Sequence, residues 1–317
     1  MSLGIALSGG GAKGAAHIGV LEALKENGIK IDYISGTSSG SIIAAFYAAG
    51  YSPNEILRLL VNNTKSNKLL DYDKSIGFKL MKLLVSRKLT INGFIKGDKI
   101  ETLIRRYMNE KNISDISDIK TPLAIPIVDL KTGEIVYYSN KEIINKDNNL
   151  LESNKDVEED EYIIKGVYKK AKIYDDYPEY RDLGDIADII RASISFPGVF
   201  RPKNIEENVY IDGGVRVNTP VKILKEMGAD KVIAISFDCN RLDNKNLKNI
   251  IGITSQAIDI LTHEAGEEEQ KLADINIRIC AKGISLLDFS KSISLARKGY
   301  YVINNNIKYI KKKIGIN

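Results

Sequence analysis

Apolar segments of strand length alternate along the chain with longer segments in which apolar residues recur at helical spacing. The first such unit has a predicted strand at Leu3–Leu7, a glycine-rich turn and a predicted helix at 15–25. The second has a strand at 31–35 and a helix at 41–49. Strands that form continuous apolar runs, separated by helices, are typical of a parallel sheet buried on both faces. The pattern therefore predicts an α/β fold.

The same alternation continues toward the C-terminus. Further strands are predicted at 123–130, 135–138, 208–211 and 231–237, and two long helices at about 249–272 and 293–313. At 317 residues, of which 44% are hydrophobic, the chain is large enough to bury one extensive core. We expect a single domain over residues 1–317, with the helical region 238–317 packed on it.

Two segments interrupt this pattern. Residues 64–92 are apolar and basic, and residues 140–183 are dense in charge, with an acidic run at 156–161. The second segment has too few apolar residues to form a core of its own. It is therefore predicted to be a surface insertion with a short hairpin at 161–168.

Composition narrows the class of protein further. The net charge of +5 is small for this length, and the chain shows no recognisable nucleic-acid-binding module, so no nucleic-acid partner is expected. No secretion signal is visible at the N-terminus, and no apolar run approaches the roughly 20 residues of a membrane span. The two cysteines, Cys239 and Cys280, are predicted to be buried free thiols, which suits a reducing, cytoplasmic compartment.

The sequence Gly36-Thr37-Ser38-Ser39-Gly40 lies between a predicted strand and a predicted helix. This is the context of a nucleophile elbow, in which a serine occupies a strained turn and small neighbours let strand and helix approach closely. The alternative is a serine-rich turn that only caps the following helix. The strand-turn-helix context favours Ser38 as a nucleophile.

A second glycine-rich turn, Ser8-Gly9-Gly10-Gly11-Ala12-Lys13-Gly14, also joins a strand to a helix. Successive backbone N–H groups at a helix N-terminus form an anion site. Its glycines also satisfy the G-x-G-x-x-G pattern of dinucleotide-binding enzymes, which makes an oxidoreductase an alternative. That fold places an acidic residue at the end of the second strand, but here Asp32 lies at its beginning. An oxyanion hole beside the elbow serine explains the loop better.

The third motif is Asp212-Gly213-Gly214, which follows the predicted strand 208–211. Parallel α/β sheets place their chemistry at the carboxyl ends of strands. By itself this aspartate would be explained as a turn residue. Together and in this order, the three motifs are more informative than this one is alone.

Three blocks together closely resemble the bacterial patatin-like phospholipases: residues 4–50 with GGGAKG and GTSSG, RASISFPGVF at 191–200 and YIDGGVRVNTPV at 210–221. The resemblance implies a three-layer α/β/α fold with a mostly parallel central sheet. It also implies a serine acyl hydrolase that cleaves phospholipid or lysophospholipid esters with a dyad of Ser38 and Asp212, without a metal or an organic cofactor.

The resemblance also assigns the remaining site residues. The oxyanion and substrate-binding positions are Gly9, Gly10, Gly11, Ala12, Lys13, Gly14 and Ser39, with Gly10 and Gly11 as the chief amide donors; Gly36, Gly40, Gly213 and Gly214 support the turns. Family members commonly carry arginine where this chain has Lys13, a difference that preserves the charge.

The chain has only two histidines, so a triad can be considered residue by residue. Ser38, Asp212 and His263 occur in the chain order of an α/β-hydrolase triad, which is an alternative to the dyad. His263 lies in a strongly acidic helical segment, where a solvent-exposed side chain is expected. His17 follows the glycine-rich loop in a run of small residues, and we expect it to be a packed residue that supports the loop.

Residues 76–89 predict an amphipathic helix. Leu80 and Leu84 belong to a broad apolar face, while Lys79 and Lys82 lie on a narrow polar stripe. Packing against the domain is one interpretation. Peripheral contact with an anionic membrane surface is the other, because the leucines would enter the acyl boundary and the lysines would meet head groups.

Overall fold

The structure is a computed structural model that describes residues 1–65, 69–75, 92–143, 178–238 and 250–316, with part of the side chains in 250–265. Within these residues, nine strands form a single sheet. They are β1 (Leu3–Leu7), β2 (Tyr33–Gly36), β3 (Leu123–Asp129), β4 (Ile135–Ser139), β5 (Glu179–Arg181), β6 (Lys203–Ile205), β7 (Asn208–Asp212), β8 (Lys231–Asp238) and β9 (Ile275–Cys280).

Helices cover both faces of this sheet. The α-helices in the described residues are α1 (Ala15–Glu26), α2 (Ser39–Ala48), α3 (Pro53–Thr64), α4 (Asp98–Asn109), α5 (Ile186–Ser193), α6 (Lys222–Glu226), α7 (Ile250–Lys271), α8 (Ser292–Asn305) and α9 (Ile307–Ile314). Alternate residues of β1 pack into opposite cores, with Ile5 and Leu7 in the larger one and Ala6 in the smaller one beside α6. The predicted three-layer α/β/α architecture is confirmed.

The sheet has the order β5-β4-β3-β2-β1-β8-β9, with β7 pairing β3 and β6 off this path. The central strands β3, β2, β1, β8 and β9 are parallel, and β4 is antiparallel to β3. Since β2 pairs with β3 at Leu123 and Ala124, and β7 pairs at Ile127–Asp129 on the same edge, β7 continues the sheet beyond the carboxyl end of β2. It runs in the opposite direction, so its last residue faces the end of β2.

The C-terminal helices pack on this scaffold through α8, which crosses α1 with Gly19 and Gly299 at the closest approach. The helix expected at 293–313 is divided in two, because Asn306 leaves the helical region at φ −110° and ψ 7°. Among the described helices, none is long and apolar enough to cross a bilayer.

Several sequence predictions fall wholly or partly outside the described residues. These are the amphipathic segment 76–89, the hairpin at 161–168 and Cys239, none of which is described. Residues 179–181, at the end of the segment predicted as an insertion, form β5. Cys280 is a free thiol, but it is partly exposed rather than buried, because it ends β9 at the border of the sheet.

Candidate active site

Ser38 lies in the sharp turn between β2 and α2. Its backbone has φ 52° and ψ −124°, a conformation that side-chain-bearing residues rarely adopt and that is found at functional turns. The two flanking glycines allow the turn to be this tight. A Cβ atom on Gly36 would lie 2.3 Å from the carbonyl oxygen of Gly40, and one on Gly40 would lie 2.3 Å from that of Leu7. The turn between β2 and α2 is therefore tight and strained.

Asp212 ends β7, where it pairs with Ile127 of β3. Its side chain is 1% exposed, and its amide donates to the Ser195 carbonyl at 3.2 Å. Oδ1 accepts a hydrogen bond of 2.8 Å from the Gly214 amide. Oδ2 is buried and has no hydrogen-bond partner among the described residues. A buried carboxylate oxygen without a partner is costly, so such an atom indicates a functional group.

Burial raises the pKa of Asp212 from its ordinary value to about 7. The Ser38 hydroxyl and the Gly214 amide act in the opposite direction, since both favour the ionised carboxylate. Ser38 is thus close enough to interact with Asp212, although no hydrogen bond of standard geometry joins the two side chains in the described structure. A carboxylate with this pKa is basic enough to accept a proton near neutral pH.

The glycine-rich loop keeps some of its amides free. Gly9 N–H donates to the backbone and side-chain oxygens of Asn218, both at 3.1 Å. Ala12 N–H donates to the Leu286 carbonyl at 2.8 Å, and Lys13 N–H to the Gly10 carbonyl at 3.2 Å.

Unlike the amides of Gly9, Ala12 and Lys13, the amides of Gly10 and Gly11 donate no hydrogen bond within the described part of the chain. The described residues supply no hydrogen-bond acceptor to either of them. Ser39 is the first residue of α2, so its N–H also lacks an intrahelical acceptor. These three amides are available to an anion.

Two positions of this loop, Gly10 and Gly11, require glycine because their φ angles are positive and because neighbouring groups leave no room for a Cβ atom. Gly11 has φ 58°, and a Cβ atom there would lie 2.3 Å from the Leu286 carbonyl oxygen. A Cβ atom on Gly10 would lie 2.7 Å from the ring of Phe237. The contact at Gly11 is with backbone, so one of the two segments would have to shift, whereas the contact at Gly10 is with the Phe237 side chain. Lys13 is partly exposed beside them.

The three motifs meet at one place. A Cβ atom on Gly9 would lie 3.1 Å from Cβ of Ser38, and one on Gly14 would lie 2.7 Å from Cβ of Ser39. Thr37 Oγ1 donates to the Val217 carbonyl at 2.9 Å, which ties the elbow to the turn after Asp212.

The two glycines after Asp212 also have close neighbours. Gly213 lies against the Pro126 carbonyl and Gly214 against the Asp212 and Asn218 side chains. Loop, elbow and aspartate thus form one cluster.

His17 supports the loop from the protein interior. It is fully buried, its Nε2 lies 2.9 Å from the Ser8 carbonyl oxygen, and its ring contacts that of Phe237. Because a carbonyl only accepts, Nε2 carries the proton and donates. Burial lowers the pKa of His17 to about 4, so the imidazole is neutral near pH 7. His263 lies within α7, and its side chain is outside the described part of the chain.

Some residues of the site had no motif of their own in the sequence. Asn218 holds the loop, while Ser193 and Ser195 contact the backbones of Ser38 and Asp212. All three lie within the blocks that carried the family resemblance, which was the available signal. Their individual contacts depend on tertiary structure.

One cavity lies elsewhere, with a volume of about 510 Å³ between β4, β5 and α5. Its lining includes Arg181, Asp185 and Asp188 and none of the site residues. Within the described ranges, no three His, Cys, Asp or Glu side chains converge as a metal site would require.

The fold and the serine elbow define a serine hydrolase on an α/β/α scaffold. Residues 5–225 match the sequence model of the patatin-like phospholipases, which is more than half of the chain. The chain belongs to the patatin-like phospholipase family.

Individual relatives have low sequence identity to this chain. The protein YqhO of Bacillus subtilis is 29% identical over 254 residues, covering 76% of this chain and 74% of that protein. Lysophospholipase NTE1 of Eremothecium gossypii is 24% identical over 244 residues, and the match covers 77% of this chain but only 12% of the fungal protein. The crystal structure of VipD from Legionella pneumophila superimposes with a TM-score of 0.48 at 14% identity, covering 97% of this chain and 67% of that one.

Proposed function

We propose that this chain hydrolyses lipid esters by acyl transfer to Ser38, with Asp212 as the general base. The observation that carries the proposal is the free oxygen of Asp212. Oδ2 is buried without a partner next to the elbow serine, and the pKa of Asp212 is raised to about 7. A structural turn aspartate would have both oxygens hydrogen-bonded or solvated.

The reaction has two halves. In the first, Asp212 takes the proton of the Ser38 hydroxyl while Oγ bonds to the ester carbonyl carbon. The tetrahedral intermediate then expels the alcohol, which receives the proton from Asp212, and the acyl group remains on Ser38. In the second, Asp212 takes a proton from water, the hydroxide attacks the acyl carbon, and Ser38 leaves with the proton as the fatty acid is released.

The oxyanion of each tetrahedral intermediate would be bound by the free amides of the loop and elbow. Gly10 and Gly11 are the chief donors, and the Ser39 amide adds a third from the N-terminus of α2. Fixed N–H groups of this kind stabilise developing charge without having to reorganise. The closeness of Phe237 to Gly10 and of Leu286 to Gly11 supports this role, since it leaves no room for a side chain beside either free amide.

The substrate is proposed to be a phospholipid or a lysophospholipid. The family to which the chain belongs and the name of the fungal relative both favour a lipid with a phosphate-containing head group. Peripheral contact with anionic membranes through residues 76–89 remains a prediction from the sequence. The dinucleotide alternative is disfavoured, because β2 leads into the serine elbow rather than an acidic residue.

A fluorophosphonate probe tests the nucleophile directly. The wild-type protein should gain one label, located on Ser38 by peptide mass spectrometry. Ser38→Ala should abolish both labelling and release of fatty acid from lysophospholipid. Ser290→Ala removes an exposed serine outside the site and should retain both. Labelling at another residue, or hydrolysis that survives Ser38→Ala, would overturn the proposal.

A further inference from the structure

The backbone amide of the elbow serine is held by a second serine, Ser193. This residue ends α5 and is fully buried. The Ser38 N–H donates to Ser193 Oγ at 3.1 Å, and Ser193 Oγ in turn donates to the Pro126 carbonyl at 3.1 Å. A hydroxyl that accepts one bond and donates another is fixed in its rotation.

The Pro126 carbonyl, which accepts this hydrogen bond, lies close to the Asp212 motif. Pro126 precedes Ile127, which is paired with Asp212 in the β3–β7 ladder. The Pro126 carbonyl also lies directly against Gly213. The Ser193 hydroxyl therefore joins the amide of Ser38 to the strand on which the position of Asp212 depends.

The turn that follows α5 contacts the aspartate as well. The Ser195 carbonyl accepts the hydrogen bond of the Asp212 amide at 3.2 Å. A buried cation fixes this turn: Arg191 donates to Ser195 Oγ at 2.7 Å, to the Arg201 carbonyl at 2.9 Å and to the Lys96 carbonyl. Residues 193–195 thus bridge the two motifs, which are far apart in sequence, from an anchored position.

We infer that Ser193 is a positioning residue for the Ser38–Asp212 pair, acting through the Ser38 amide and the Pro126 carbonyl. This inference rests on the proposed function. Without the hydroxyl, the amide of a strained, partly buried residue would be left without an acceptor in the protein. The elbow would then relax, and Oγ of Ser38 would spend less time in line with Asp212. Ser41, which holds the Ser38 carbonyl at 2.6 Å, would keep the turn folded.

The test is Ser193→Ala compared with Ser35→Ala. Ser35 is an equally buried serine in β2 whose hydroxyl donates to the Pro220 carbonyl at 2.6 Å, without any contact to the elbow amide. Ser193→Ala should lower kcat about 10- to 100-fold with KM nearly unchanged, and it should slow fluorophosphonate labelling by a similar factor. Ser35→Ala should leave both rates within about twofold of wild type.

A conservative variant and an exchange measurement complete the test. Ser193→Thr keeps the hydroxyl and should recover most of the labelling rate. The hydrogen-exchange rate of the Ser38 amide, followed by NMR, should rise at least about tenfold in Ser193→Ala and not in Ser35→Ala.

Wild-type labelling in Ser193→Ala, or equal losses in the two alanine variants, would overturn the inference. If wild type is not labelled at Ser38, the proposed function fails. Amide exchange then decides the positioning role alone, and an unchanged rate would overturn it.

Discussion

The Asp212 carboxylate accepts a hydrogen bond of 2.8 Å from the amide of Gly214, two residues further along the chain. This bond fixes Oδ1, while Oδ2 is buried and has no hydrogen-bond partner among the described residues. The Ser38 hydroxyl is near enough to affect the pKa of the carboxylate. One oxygen therefore orients the carboxylate, and the other is left for the proton transfer that we propose. Burial, which dominates the environment of the group, sets the pKa at which this transfer is effective.

The rate should depend on the ionisation of Asp212. Because the base must be charged, kcat/KM should rise with pH, be half-maximal near pH 7 and level off above it, as the raised pKa of Asp212 requires. Below pH 6 it should fall about tenfold per pH unit. A soluble short-chain ester, measured from pH 5 to 9, gives the profile. A midpoint near pH 4 would contradict the buried-base assignment.

His17 cannot cause this limb of the profile, because its own pKa is lowered to about 4. The temperature dependence of the midpoint separates Asp212 from His263. The ionisation enthalpy of a carboxylic acid is close to zero, so the midpoint of its pH profile should stay nearly constant between about 10 and 40 °C. An imidazole midpoint would fall clearly on warming.

Asp212→Asn should lower kcat by several orders of magnitude, and the double variant with Ser38→Ala should be little worse than either single variant. Nucleophile and base act as a unit, so removing one already abolishes the step. Single-turnover release of fatty acid measures this. If Asp212→Asn keeps more than about a tenth of the wild-type kcat, Asp212 is not the base.

The same substitution should stabilise the fold at alkaline pH. Between about pH 4 and 7 the native state holds a proton on Asp212 that the unfolded chain has lost, so wild-type stability falls as pH rises through this range. Asparagine removes this penalty. Thermal unfolding should show a rise in Tm that is larger at pH 8 than at pH 5. A fall in Tm at pH 8 would mean that the carboxylate stabilises the native state.

Gly11→Ala should nearly abolish activity, because the new methyl group would collide with the Leu286 carbonyl and displace the free amides. Gly28→Ala is the matched control. Gly28 also has a positive φ, of 72°, but a Cβ atom there meets nothing within 4 Å. Both variants carry backbone strain, but only Gly11→Ala adds a collision, so we expect a larger fall in Tm for Gly11→Ala and, at a temperature where both variants are folded, a loss of kcat in Gly11→Ala alone. Equal activity in the two would remove the loop from the mechanism.

His263→Ala should retain most activity if the dyad operates. A triad histidine would cost at least about a thousandfold on removal. Assays on the soluble ester, with circular dichroism to confirm folding, decide between them. A folded but nearly inactive variant would favour the Ser38, Asp212 and His263 triad.

The membrane prediction concerns Leu80 and Leu84, which lie outside the described residues. Replacing both by glutamate should weaken co-sedimentation with anionic liposomes and slow hydrolysis of vesicles, with the soluble ester unaffected. Leu272→Glu is a control, since this leucine is exposed at the opposite end of the sheet from Ser38. A large fall in Tm, or equal losses on both substrates, would instead place the segment in the core.

The local parts of the site could be predicted because their signals are local. A serine between two glycines, placed between a strand and a helix, predicts an elbow wherever the chain goes afterwards. The glycine-rich loop and the strand before Asp212 were equally evident, and β1 has the predicted bounds. The predicted bounds of the last helix were wrong, because it is divided in two. The break at Asn306 depends on where α8 and α9 each find a surface to pack against.

Only the tertiary structure decided how these parts meet. Asp212 faces the end of β2 because β7 pairs antiparallel with β3 at Ile127, and such long-range pairing leaves no periodic signal in the sequence. The raised pKa of Asp212 and the lowered pKa of His17 arise from burial by residues distant in the chain. Sequence therefore determined which groups are candidates for the chemistry. Packing determined their separation, the protonation of Asp212 and His17, and the contacts of Ser193, the serine that we propose positions them.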